Sequence, residues 1–180
     1  DEVGRLVGSV GRVLPATSQP VDLVADTGDW EVEGQVSVHR AAGIVELRLS
    51  PSDVRSPPET VAAIEAADQV VLGPGSLYTS VLASVLAPDV GEALSRRSGP
   101  LVLVANLSAD VEGPWVLADQ VRVLADHGVL PDMVLVDDSH GEGSAGAAAL
   151  RRATVAVLNG KSHDPILLGK ALAGCTTANM

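Results

Sequence analysis

Val70-Val71-Leu72-Gly73-Pro74-Gly75-Ser76-Leu77-Tyr78-Thr79-Ser80 joins an aliphatic run to two glycines and then to a mixed polar and apolar segment. A short aliphatic run that stops at glycine is the pattern of a buried strand, and glycine admits backbone conformations and close approaches that a Cβ forbids. The residues that follow predict a helix over 77–86. The stretch is therefore a strand turning directly into a helix, and two roles fit such a turn. One is a tight connection with Ser76 as N-cap. The other is an anion cradle, in which the first helical N–H groups and the positive end of the helix receive a phosphate while Ser76, Thr79 and Ser80 add hydroxyls. The glycine spacing and the lack of a following Lys separate it from a Walker A loop and from a dinucleotide fingerprint.

Outward from this turn the pattern repeats. Segment 59–67 predicts a helix, 101–105 a second buried strand, 91–97 and 115–127 helices, 133–136 a third strand and 154–158 a fourth, with 165–173 as a closing helix. Strand, crossover helix, strand in succession is a parallel α/β sheet. The Gly-, Ser- and Ala-rich stretch 139–149 is expected to be a flexible loop. Ahead of Pro57-Pro58 the period changes. Extended runs are expected at 12–17, 21–25, 31–40 and 44–49, broken by Thr27-Gly28-Asp29 and Ala42-Gly43. Alternation in Val32, Val36, Val38 and in Val45, Leu47, Leu49 predicts a small antiparallel unit, inserted at about 21–50, with one wet face.

Composition narrows the function classes. With 180 residues, 46% of them hydrophobic, the chain can bury a core as one domain over 1–180. The core is aliphatic, because Phe is absent and the aromatic residues are Trp30, Tyr78 and Trp115. The apolar runs are far shorter than the ~20 residues that cross a bilayer as a helix. A formal net charge of −11 disfavours nucleic acid and anionic membrane surfaces as partners. Cys175 is the single cysteine, which permits no intrachain disulfide and fits a cytoplasmic protein. The chain opens at Asp1 within an amphipathic pattern (Val3, Leu6, Val7, Val10), so it is expected to be part of a longer protein.

Candidate polar residues cluster where strands end. Asn106 closes the second strand at the carboxyl edge, the side on which open α/β sheets hold ligands, and is either a base- or sugar-reading amide or a turn residue. Trp115 is either a stacking surface or a core residue. Asp110, Glu112 and Asp119 are either metal or hydroxyl ligands or partners of a helix dipole. His39, His127, His140 and His163 lack ligand spacing, and Asp164 before Pro165 fits a helix cap. No serine has an evident His and acid partner, so hydrolase chemistry has no support.

Gly73–Ser80, Val13-Leu14-Pro15-Ala16-Thr17 with Pro20-Val21, the arm around Gly34, the approach 64–72, Asn106, Pro131-Asp132 with Val134-Leu135-Val136, and His163-Asp164 occur together in one order. In this the chain resembles the gluconeogenesis factor family, bacterial relatives of 2-phospho-L-lactate transferase. The resemblance implies a Rossmann-like three-layer α/β fold carrying the antiparallel β insertion. It also implies a nucleotide-sugar site for UDP-N-acetylglucosamine and a part in cell shape, cell-wall precursor flux and carbon-source adaptation; a homo-oligomer, in the simplest case a homodimer, is expected separately. By the same resemblance the ligand-binding residues are Thr17, Gly73, Gly75, Ser76, Leu77, Tyr78, Thr79, Ser80, Asn106, Trp115, His163 and Asp164. No catalytic residue, metal or cofactor is implied by the binding reading. The alternative is a transferase moving a phosphate-linked group to an alcohol with a Mg ion; a third reading is an oligomerisation module of a scaffold. The chain departs from the family at Leu107-Ser108-Ala109, at Gln120 in place of His, and at Ser162 in place of the Arg that precedes His-Asp. A glycine-rich opening strand expected of the family is not in the sequence.

Overall fold

Residues 6, 8, 10–109 and 112–175 are described by a computed structural model of the chain. Val3, Val7 and Asp110 lie outside the described residues. Within 22–50 the alternation builds a three-stranded antiparallel sheet, ordered β2 (Glu31–Glu33), β1 (Asp22–Asp26) and β3 (Glu46–Ser50). Leu47 and Leu49 are buried while Glu46 and Arg48 are exposed, the inside-outside pattern of a half-wet strand.

The expected strand over 31–40 is corrected. The chain leaves β2 at Gly34, whose φ of +88° suits glycine, and continues as helix α1 (Gln35–Arg40). Val36 and Val38 would share one face of a strand; here Val38 is fully buried and Val36 is 66% exposed, because a helix places residues two apart on different faces. The Leu47 N–H on β3 is taken by His127 Nε2 at 3.0 Å, and His127 Nδ1 lies 2.8 Å from the Val123 carbonyl oxygen, so the imidazole acts as the neutral Nδ1–H form.

The second sheet is parallel, ordered β4 (Val70–Leu72), β5 (Leu101–Val104), β6 (Met133–Asp137) and β7 (Ala149–Ala153). The fourth strand is thus 149–153, not 154–158, and the expected loop 139–149 ends by entering it. The connections carry helix α2 (Pro58–Glu65) before β4, then a π-helix (Leu77–Leu82) running into α3 (Ala83–Val85), then α4 (Pro88–Arg96), α5 (Leu117–Asp126) and, last, α6 (Pro165–Ala173).

Period-two burial assigns the layers. Leu101, Leu103, Val134 and Val136 pack with the small sheet, the π-helix, α4 and α5, whereas Val102, Val104, Met133 and Leu135 pack with Ala171, Leu168, Leu172 and Cys175 of the α6 region. Sheet residues buried on both faces are the reason β5 and β6 are continuous aliphatic runs. The result is three-layer α/β, a parallel sheet with a separate antiparallel one. Among the described residues no helix is long and apolar enough to cross a membrane.

Candidate functional site

The turn after β4 is shaped by close packing. Gly73 has φ +76°, and a Cβ there would sit 3.1 Å from the Val104 carbonyl oxygen of β5. Asn106, just beyond β5, locks the turn by a reciprocal pair: its Oδ1 accepts from Gly75 N–H at 3.0 Å and its Nδ2 donates to Gly75 O at 3.1 Å. Ser76 occupies the N-cap position without a side-chain cap bond. A buried carboxylate performs that task instead. Glu112, 2% exposed, accepts from the Thr79 N–H and from the Thr79 hydroxyl, both at 2.8 Å, and its other oxygen stands 3.3 Å from His39 Nδ1. The Gln35 amide of α1 donates to Thr79 O at 3.2 Å, so the antiparallel unit is fastened to the same residue.

Opposite the turn, residues 155–164 form a hairpin held by the Ala156–His163 bridge and by Val157 N–H to Ser162 O at 2.9 Å. Asp137, at the carboxyl end of β6, fixes its first arm by accepting from Val155 N–H (2.8 Å) and Ala156 N–H (2.9 Å), and it also takes the Ser139 N–H and hydroxyl. Burial alone would raise the Asp137 pKa; the hydrogen bonds to its charged form prevail and hold it at about 2. Asp164 fixes the second arm as the N-cap of α6, accepting from Ile166 and Leu167 N–H.

Between turn and hairpin lies a cleft of about 350 Å³ lined by Pro74, Gly75, Ser76, Asn106, the 107–109 loop, Lys161 and His163. It opens at the carboxyl edge of β4 and β5, where open α/β sheets hold ligands. Of the residues expected at a site, Gly75, Ser76, Asn106 and His163 meet there. Leu77, Tyr78 and Thr79 are buried in the core; burial, with Glu112 nearby, pushes the Tyr78 hydroxyl pKa up, and its ring lines a separate groove with Ile44 and Pro114. Ser80 is exposed outside the cleft lining. Thr17 donates to Gln19 O, in a segment fastened to α2 by Thr60 Oγ1 to Pro15 O, and lies outside the lining as well. Trp115 is 39% exposed and stacks on His140 with centroids 4.6 Å apart. Lys161 acquires its place only in three dimensions, since a lone lysine after glycine carries no sequence signal of a cleft; Glu112 is a helix-dipole partner and hydroxyl acceptor as the sequence allows, but of the helix start at Thr79 rather than of the helix that follows it.

A family model described as 2-phospho-L-lactate transferase CofD matches residues 1–161. The chain belongs to the CofD family. A protein of Deinococcus radiodurans, provisionally named a gluconeogenesis factor, is 35% identical over 167 residues, covering 86% of this chain and 35% of its own length. A gluconeogenesis factor of Halalkalibacterium halodurans is 32% identical over 149 residues, covering 78% of this chain and 45% of its own. The chain thus spans about a third to a half of the length of these curated relatives. A crystal structure of a UPF0052 family protein from Bacillus halodurans superposes with a TM-score of 0.84 at 24% identity, over 96% of this chain and 64% of that one.

Among the described residues, Glu112 and Asp119 do not gather as ligands for the Mg ion of the transferase alternative. Glu112 is spent on Thr79, and Asp119 pairs with Arg122 at 2.9 Å. Among the described residues no three His, Cys, Asp or Glu side chains stand together as a metal cluster.

Proposed function

We propose that this CofD-family chain forms a nucleotide-sugar site of a gluconeogenesis-factor-type regulator, with UDP-N-acetylglucosamine as ligand and cell shape and cell-wall precursor flux as what it controls. The observation that carries the reading is the cleft at the carboxyl edge of β4 and β5. Its lining joins glycine backbone, the Asn106 amide, the Ser76 and Ser108 hydroxyls and a lysine, the polar set that a phosphorylated sugar uses. The ligand is a small phosphate-bearing molecule, which binds locally against an overall acidic surface. The names of the curated relatives support a gluconeogenesis factor, and acidic side chains committed to Thr79 and Arg122 rather than to a common point weigh against the transferase.

Calorimetric titration tests it. UDP-N-acetylglucosamine is expected to bind, while guanosine nucleotides and a deazaflavin produce no heat. Binding of the guanosine and deazaflavin compounds in place of the nucleotide sugar would favour the transferase.

A further inference from the structure

Four N–H groups around the helix start are engaged by the chain itself. Gly75 N–H is taken by Asn106, Thr79 N–H by Glu112, and both Ser80 and Val81 N–H by Ser76 O. The start of α6 is likewise filled by the Asp164 carboxylate. A cationic side chain in the cleft would add what these engaged groups cannot give an anion. The hairpin provides one: Lys161, in the bend at its tip, and His163, on its bridge to Ala156, both line the cleft. Ser162, between them, is outside the lining. His163 Nε2 is buried with no hydrogen-bond partner, and among the described residues no acid pairs with the Lys161 ammonium.

We propose that Lys161, presented beside His163 on the cleft face of the 155–164 hairpin, is the residue that recognises the phosphate or diphosphate of the ligand. The inference rests on the proposed nucleotide-sugar site and assigns its anion specificity.

The test is calorimetry of wild type, Lys161→Ala, Lys161→Arg and Lys170→Ala with UDP-N-acetylglucosamine and with inorganic pyrophosphate, at low and at raised salt. Lys161→Ala is expected to lose about tenfold or more in affinity for both at low salt, with the difference narrowing as salt screens the charge. Lys161→Arg should stay within a few-fold of wild type. Lys170→Ala removes an equal charge from α6, outside the cleft lining, and should bind as wild type does. Wild-type affinity in Lys161→Ala, or an equal loss in Lys170→Ala, overturns the assignment and leaves the nucleotide-sugar site standing. Failure of the wild type to bind either compound overturns the site and the assignment together.

Discussion

Glu112 accepts both the N–H and the hydroxyl of Thr79 on a single oxygen, each at 2.8 Å. A helix start attracts negative charge because its first N–H groups lack intrahelical acceptors. Here a residue 33 positions downstream supplies that charge from inside the core. Removing it strands two buried donors, each costing about 1–3 kcal/mol. Glu112→Ala should therefore lose about 2–6 kcal/mol in urea unfolding, and Glu112→Gln, which keeps an acceptor oxygen, clearly less. Equal stability of Glu112→Ala and wild type would contradict the capping role.

Asn106 holds the turn by a donor and an acceptor at once. Asn106→Asp keeps the acceptor but sets a second carboxylate oxygen against the Gly75 carbonyl oxygen. It should destabilise by about 1–3 kcal/mol and weaken nucleotide-sugar binding, whereas a merely polar requirement at this position would leave Asp harmless. Denaturation and calorimetry on the same variant decide between these.

Asp137 makes stability depend on pH in the acid range. Its folded pKa of about 2 lies below that of an unfolded Asp, ~3.9, so its contribution is complete above pH 4 and is lost as pH falls through about 2. The size is roughly 2 kcal/mol. Urea midpoints measured from pH 5 to pH 2 should fall for wild type and fall less for Asp137→Asn, which begins less stable. Parallel curves would show that other carboxylates carry the acid response.

Trp115 and His140 join the loop after β5 to the loop after β6 by ring stacking. A double-mutant cycle with Trp115→Ala and His140→Ala should give a coupling of about 0.5–1.5 kcal/mol. Additive losses would reduce the stack to proximity.

The turn at 73–80 was legible because aliphatic residues ending in glycine have few alternative structures. The step from β2 into α1 was not, since Val36 and Val38 fit a strand until Gly34 turns the chain. β7 was hidden by its arginines. Arg152 sends its guanidinium to the carbonyl oxygens of His140 and Gly141, and Arg151 to Gly174 O, so an edge strand holds two charges that a buried strand excludes. In the site, Gly75 and Asn106 could be suspected from strand ends, because topology alone brings such ends to one edge. Glu112 capping Thr79, and Lys161 facing the cleft, depend on which way a loop and a hairpin fold back, and local sequence does not encode that.

The cleft itself is tested most directly by amide chemical shifts in the chain titrated with UDP-N-acetylglucosamine. The largest changes are expected at Gly75, Ser76, Asn106, Ser108, Lys161 and His163, with Ile44 and Tyr78 of the separate groove unmoved. Changes confined to that groove, with the cleft residues unmoved, would contradict the assignment.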